Sequence, residues 1–302
     1  MLLKEVNGRI IDLSERDFKN EKELQHFFEQ NIQTILGCEF VTTEFAVGDF
    51  RIDTLAFDRE TKSFKIIEYK NVKNHSLVDQ GYTYLKLLLE RKADFVLKYN
   101  EITNQNLKIS DIDFSSSRII FVSPIFTPYQ LNASDFKNIP IDLIKLTRYN
   151  DGLYLVDSIK KTSNAKIEEI NILGSDNEEI AREIKVYTEE DHLNTSNENA
   201  KEIYYELRTK MLEFDNVDID VKKVYIAFKG KTNIIDVECM KNNIRISINM
   251  KKGTLNGTTD LLRDVSGLGK WGNGDYRVDI YNKNELDYII PFIKQSLEIN
   301  KK

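Results

Sequence analysis

Two strand-like runs about one polar turn constrain this chain more than any other feature. Residues 50–57, FRIDTLAF, and 64–70, FKIIEYK, flank the turn DRETKS. Side chains two apart on a strand share a face. Arg51, Asp53, Leu55 and Phe57 therefore form one row, and Phe64, Ile66, Glu68 and Lys70 another. Folding the pair symmetrically about the Glu60–Thr61 bond sets Phe57 opposite Phe64, Leu55 opposite Ile66 and Asp53 opposite Glu68. Directly opposed residues have Cβ atoms roughly 4.5–5.5 Å apart, and like charges so placed repel. The apolar ladder thus ends in two adjacent carboxylates. Lys70 offsets part of their charge, and a hard divalent cation with oxygen ligands suits the pair better.

The rest of the chain supplies elements to cover such a hairpin. In NEKELQHFFEQNIQTIL, residues 20–36, the apolar positions Leu24, Phe27, Phe28, Ile32, Ile35 and Leu36 recur at helical spacing. Asn20 with Glu23 three residues later fits an N-cap signature. Ser76 and Asp79 open a second helix through about Arg91, with Leu77, Tyr84 and Leu88 on one stripe. RIIFVS, residues 118–123, reads as a buried strand, and DLIKLTRY and LYLVDSI as two more about the turn NDG. Residues 159–199 are mostly polar and acidic and read as a linker with room for a short helix. Beyond it the pattern predicts a helix over 198–213, strands near 222–229, 233–239, 244–249 and 276–281, and a helix over 284–299. The fold class is therefore α/β or α+β, with one domain over 1–158 and a smaller α+β domain over 200–302.

Composition narrows the setting. With 302 residues, 41% apolar and 30% charged, the chain has material for real cores and is unlike a disordered one. No apolar run approaches the length of a membrane span, and MLLKEVNGRIIDLSERD has no apolar core of the kind a signal peptide carries. Two cysteines, Cys38 and Cys239, argue against a disulfide framework, so a cytoplasmic location is expected. The net charge is −6 but unevenly spread: residues 160–221 carry −8 and residues 222–277 carry +6. The basic segment is suited to a phosphate backbone. The three histidines, His26, His75 and His192, have no ligand spacing to one another, and His75 reads as a surface-loop residue.

An Asp before a hairpin followed by Glu-x-Lys on the next strand resembles the PD-(D/E)XK nuclease superfamily. Here the motif stands as Asp53 and then Glu68-Tyr69-Lys70. Gln80 and Tyr84, four apart on the following helix in DQGYTYL, resemble the Gln-xxx-Tyr feature of several branches. ELQHFFEQN, which carries Glu23, looks like the corresponding helix of the NucS/EndoMS branch. One departure is that Ile52 stands where the motif has proline. The resemblance spans roughly residues 20–155. It implies a restriction-endonuclease-like mixed sheet flanked by helices, and a Mg²⁺- or Mn²⁺-dependent nuclease acting on nucleic acid, DNA before RNA, in repair, restriction or defence. It further implies that Asp53, Glu68 and the Tyr69 backbone carbonyl hold the ion, with Glu23 completing the shell. Lys70 would orient or deprotonate a water, and Gln80 and Tyr84 would position water or the nucleic-acid backbone. RDVSGLGKWGNGDYRV resembles an accessory domain of unknown function that follows such nuclease domains.

Plainer readings stand beside these. Glu23 also fits the third position of a capping box, and Glu29 is then the alternative acid. Tyr84 fits a core stripe, whereas a buried Gln80 amide must be satisfied. GLGKWGNGD matches G-x-G-x-x-G, but a strand follows it, so a dinucleotide site is rejected. Its loop groups Trp271 and Lys270 with Arg263 and Arg277, a basic and aromatic set of the kind that contacts nucleic acid. Trp271 folded into its own core is the competing reading. The alternative to a nuclease is a nucleic-acid-binding or sensor protein without turnover on the same fold. The sequence leaves open whether the chain acts as a monomer or a homodimer, and no membrane partner is expected.

Overall fold

Period-two alternation through residues 50–70 gives one hairpin register, and the chain adopts it from Thr54 opposite Ile67 to Asp58 opposite Ser63, one pair short of the expected Asp53 opposite Glu68. In the computed structural model, β5 (Phe50–Asp58) and β6 (Ser63–Tyr69) pair antiparallel with Phe57 opposite Phe64 and Leu55 opposite Ile66. The structure describes residues 2–71, 77–135, 139–163, 184–257, 259–267 and 273–300. The chain divides into two compact units, Met1–Val186 and Tyr187–Lys302.

In the first unit β1 (Leu2–Val6) and β2 (Arg9–Leu13) form a separate hairpin. There follow β3 (Glu15–Arg16), α1 (Glu21–Leu36), β4 (Glu39–Val47), β5, β6, α2 (Leu77–Glu90) and α3 (Lys92–Thr103). The unit closes with β7 (Arg118–Ser123), α4 (Pro128–Ser134), β8 (Ile141–Tyr149) and β9 (Tyr154–Ser158). The sheet order is β3-β8-β7-β6-β5-β4, and β9 also pairs with β8. The β6–β7 and β7–β8 pairs are parallel and the others antiparallel, so the sheet is mixed. β6 lies inside it with all seven residues buried. A strand covered on both faces reads as a nearly continuous apolar run. Lys65 is tolerated there because its Nζ donates to Ser63 Oγ at 2.9 Å and Ser116 O at 3.0 Å.

Each face of the sheet is covered by different helices. Leu24, Phe28 and Ile32 of α1 pack with Ala56, Ile67, Tyr69 and Ile120. On the other face Tyr84, Leu85 and Leu88 of α2 and Phe95 of α3 pack with Leu55, Phe57, Phe64 and Ile66. α1 starts where expected, since Asn20 Oδ1 accepts from the Glu23 N–H at 2.9 Å and Gly37 ends it in the left-handed region, φ 70°. Gly81 seats α2: a Cβ there would lie 2.6 Å from Ile141 Cδ1.

The second unit holds α5 (Glu189–Leu193), α6 (Glu198–Leu212), β10 (Asp218–Val221), β11 (Ile226–Lys229), β12 (Asn233–Cys239) and β13 (Ile244–Ile248). It ends with β14 (Arg263–Asp264), β15 (Tyr276–Ile280) and α7 (Lys283–Asn300). The sheet runs β10-β11-β12-β13-β15-β14 and is antiparallel throughout. Ile203, Tyr204 and Leu207 of α6 and Ile289 and Ile293 of α7 cover Phe228, Ile235, Val237 and Ile246. The strand expected near 222–229 is confined to β11, because the chain turns between Val221 and Ile226, and β10 before that turn was not expected. α5 is a short helix of the kind the linker stretch allowed for, and it belongs to this unit and not to a linker. Gly274 is required near β13: φ is +94°, and a Cβ would lie 2.0 Å from Ile248 O.

Candidate functional site

The strands β5 and β6 part at Asp53. Their ladder stops at Thr54 opposite Ile67, while β4 and β5 stay paired to Val47 opposite Phe50. Alternation breaks there too: Ile52 joins the α2–α3 core, whereas Thr54 reaches Glu29 on α1. Asp53 bridges the gap, with Oδ2 accepting the Tyr69 N–H at 3.1 Å. Burial and then the Glu68 charge push the Asp53 pKa up to about 7; the Tyr69 N–H and Lys70 oppose the rise, and Glu44 adds to it.

Glu68 is only 4% exposed. Its Oε1 accepts from Lys70 Nζ at 2.9 Å and from Gln80 Nε2 at 2.6 Å. Its Oε2 is buried and has no hydrogen-bond partner among the described residues. Leaving a charged oxygen so costs several kcal/mol unless a ligand meets it, by the order of magnitude for desolvated ions. Gln80 Nε2 also lies 3.2 Å from Tyr84 Oη, which donates to Arg51 O at 3.2 Å. Burial, with the Glu68 charge, pushes the Tyr84 phenol up to about 12, so it stays protonated as a donor. The structure thus gathers Asp53, Glu68, Tyr69, Lys70, Gln80 and Tyr84 where β5 and β6 separate.

Glu23 is not among them, which corrects the expectation that it completes the metal shell. Its Oε1 pairs with Arg148 Nη1 at 2.9 Å, and its Oε2 accepts the Lys19 N–H at 2.5 Å. The Lys19 N–H and then Arg148 hold its carboxyl below the usual range. The reason is its place in the first turn of α1, where it turns to Arg148 on β8, a strand separated from β6 by β7. Among the described residues no three His, Cys, Asp or Glu side chains group as metal ligands.

Sequence reasoning missed three residues beside the site. Gln25, on α1, is 7% exposed and donates to Asp53 O at 2.9 Å. Thr54 Oγ1 lies 2.5 Å from Glu29 Oε1 and 3.1 Å from Tyr69 Oη. Glu44 has a left-handed backbone, φ 49°, in the ladder position facing Asp53, between Thr43–Thr54 and Phe45–Ile52. An amide on the apolar stripe of α1 was a legible signal for Gln25; nothing in the sequence marks Glu44.

In the second unit Arg263 is exposed and stands opposite the partly buried Arg277 across β14 and β15. Lys270 and Trp271 lie outside the described residues, as does His75. Among the described residues no helix is long and apolar enough to cross a membrane.

The model of a domain of unknown function, DUF5655, matches residues 189–300. The chain is 41% identical over 301 residues to a Haemophilus influenzae protein described as uncharacterized, covering 96% of this chain and 97% of that one. Among solved structures it is similar to a complex of EndoMS with double-stranded DNA, at 18% identity and TM-score 0.27, over 39% of this chain and 44% of that one. It is also similar to a repair endonuclease from Pyrococcus abyssi, at 18% identity and TM-score 0.22, over 40% of this chain and 44% of that one. The chain therefore spans less than half of either structure, and likeness at such TM-scores decides nothing about this site.

Proposed function

The chain belongs to one family with the uncharacterized Haemophilus influenzae protein over almost the full length of both, and we propose that its site is a divalent-metal-dependent phosphodiesterase centre acting on nucleic acid. One observation carries the reading: Glu68 is buried and its Oε2 has no hydrogen-bond partner among the described residues, beside an Asp53 whose pKa is raised to about 7. A pair of crowded carboxylates is relieved by a cation, and its all-oxygen donor set suits Mg²⁺ or Mn²⁺. Asp53, Glu68 and the Tyr69 carbonyl would hold it. Such an ion, when bound, lowers the pKa of a water and offsets charge on the phosphodiester.

The chain's own groups divide the remaining work. Gln80 and Lys70 both bind Glu68 Oε1, which fixes the carboxylate plane and leaves Oε2 for a ligand. Lys70 Nζ carries three donors and spends one on Glu68. The others are available to a phosphate oxygen or to a water, holding it in place for attack. Tyr84 Oη, kept protonated, anchors Gln80 against the Arg51 carbonyl. The second unit, through its basic segment, would grip the substrate backbone.

A second reading has its own support. With Glu23 engaged by Arg148 and no third ligating side chain converging among the described residues, a non-catalytic nucleic-acid sensor is the competitor. Incubating the protein with plasmid, single-stranded DNA and RNA in Mg²⁺, Mn²⁺ or EDTA separates the two. Metal-dependent cutting that disappears in Asp53→Asn and Glu68→Gln supports the nuclease. Binding without cutting under every condition favours the sensor.

A further inference from the structure

We propose that Gln25 is a positioning residue of this site, holding the Asp53 main chain where β5 and β6 part. This rests on the reading that Asp53 and Glu68 hold a divalent ion. Gln25 Nε2 lies 2.9 Å from Asp53 O, 3.0 Å from Thr43 Oγ1 and 3.1 Å from Glu29 Oε1. An amide nitrogen has two hydrogens. Shared among three acceptors, neither is left idle. From Glu29 Oε1 the chain of contacts runs to Thr54 Oγ1 at 2.5 Å and on to Tyr69 Oη at 3.1 Å. One side chain of α1 thus binds β4 and β5 directly and reaches, through Glu29 and Thr54, the β6 residue between Glu68 and Lys70.

The level of these contacts gives them their role. The β5–β6 ladder ends at Thr54 opposite Ile67, so main-chain bonds no longer fix the strand spacing beyond it. One link past that point is made by Asp53 Oδ2 to the Tyr69 N–H, through the carboxylate an ion would need. The Gln25 network, working from the α1 face, sets the gap without using that carboxylate. Asp53 is then free to bind a ligand while its backbone stays in place. A carboxylate at position 25 could not do this. It would offer no donors and would add negative charge beside Glu29 Oε1 and the Asp53 carbonyl.

Residues that orient metal ligands typically change metal affinity about 10–100-fold when removed. Mn²⁺ titrations of the full chain by calorimetry at pH 8, with thermal melts of the metal-free proteins, test the assignment. Gln25→Ala is expected to lose at least about tenfold in Mn²⁺ affinity, with a melting temperature within a few degrees of wild type. Gln25→Glu loses no less, and Thr54→Val, which keeps the β-branched shape, loses affinity in the same direction. Should Gln25→Ala not fold, Thr54→Val decides alone. Wild-type Mn²⁺ affinity in these variants, whatever their melting temperatures, with binding abolished in Asp53→Asn, overturns the positioning role and leaves the metal centre standing. No Mn²⁺ binding by the wild type overturns both.

Discussion

At Asp53 a carboxylate is held in the fold at the expense of stability. Its pKa stands at about 7 against an ordinary 3.8, so the native state keeps a proton that the unfolded chain releases. Stability must then fall as pH rises from about 4 to 7, because over that window the native state binds more protons than the unfolded one. The metal-free wild type should melt at progressively lower temperature between pH 5 and 8. Asp53→Asn, which removes the titration and can still accept from Tyr69, should show a flatter profile and melt higher at pH 8. Coincident profiles for the two proteins contradict the raised pKa. Glu44 is a second residue under constraint, since a left-handed backbone disfavours any side chain with a Cβ. Glu44→Gly should therefore be neutral or stabilising by ~0.5–1 kcal/mol in urea titrations, where a glycine in an ordinary strand destabilises by about as much.

At the scale of elements, site geometry depends on how closely α1 and α2 approach the sheet. Gly81→Ala forces a methyl against Ile141 Cδ1 and lifts α2, which carries Gln80 and Tyr84. Overpacking of this kind costs roughly 1–3 kcal/mol, and Mn²⁺ binding should weaken with it, as a titration beside a chemical melt would reveal. Glu23 is held by Arg148 and the Lys19 N–H at the start of α1. Glu23→Gln should lower the melting temperature slightly and leave Mn²⁺ affinity unchanged; a clear loss of affinity would restore it as a ligand. The sequence predicted α1, β5, β6 and β7 well because α1 holds one helical period, β5 alternates from Thr54 to Phe57, and β6 and β7 are short, nearly continuous apolar runs. β4 went unread for a physical reason. It carries a bulge between Phe40 and Thr42 and the left-handed Glu44, so its apolar positions do not alternate. α3 buries only Phe95, Val96 and Tyr99, too few to mark a helical stripe.

For the whole molecule, the two units have separate cores, one built on α1, α2 and α3 about the mixed sheet and one on α6 and α7 against the antiparallel sheet. A fragment of residues 187–302 should accordingly fold and melt cooperatively by itself. A broad, non-cooperative melt of that fragment would mean that the second core depends on the first unit. The hairpin register was determined by the sequence alone, because alternation and turn length are local and a one-residue slip would send each apolar side chain of one strand to the opposite face of the sheet. With the register came the closeness of Asp53 to Glu68 and the shared face of Glu68 and Lys70. What the sequence could not carry was the partner of each group. Which helix covers which face depends on contacts between residues far apart in the chain, and that choice sent Glu23 to Arg148, brought Gln25 under Asp53 and left Glu68 Oε2 without a bond among the described residues. Local periodicity brought the two carboxylates to the same end of the hairpin; long-range packing decided which of them are satisfied, and so which remain for chemistry.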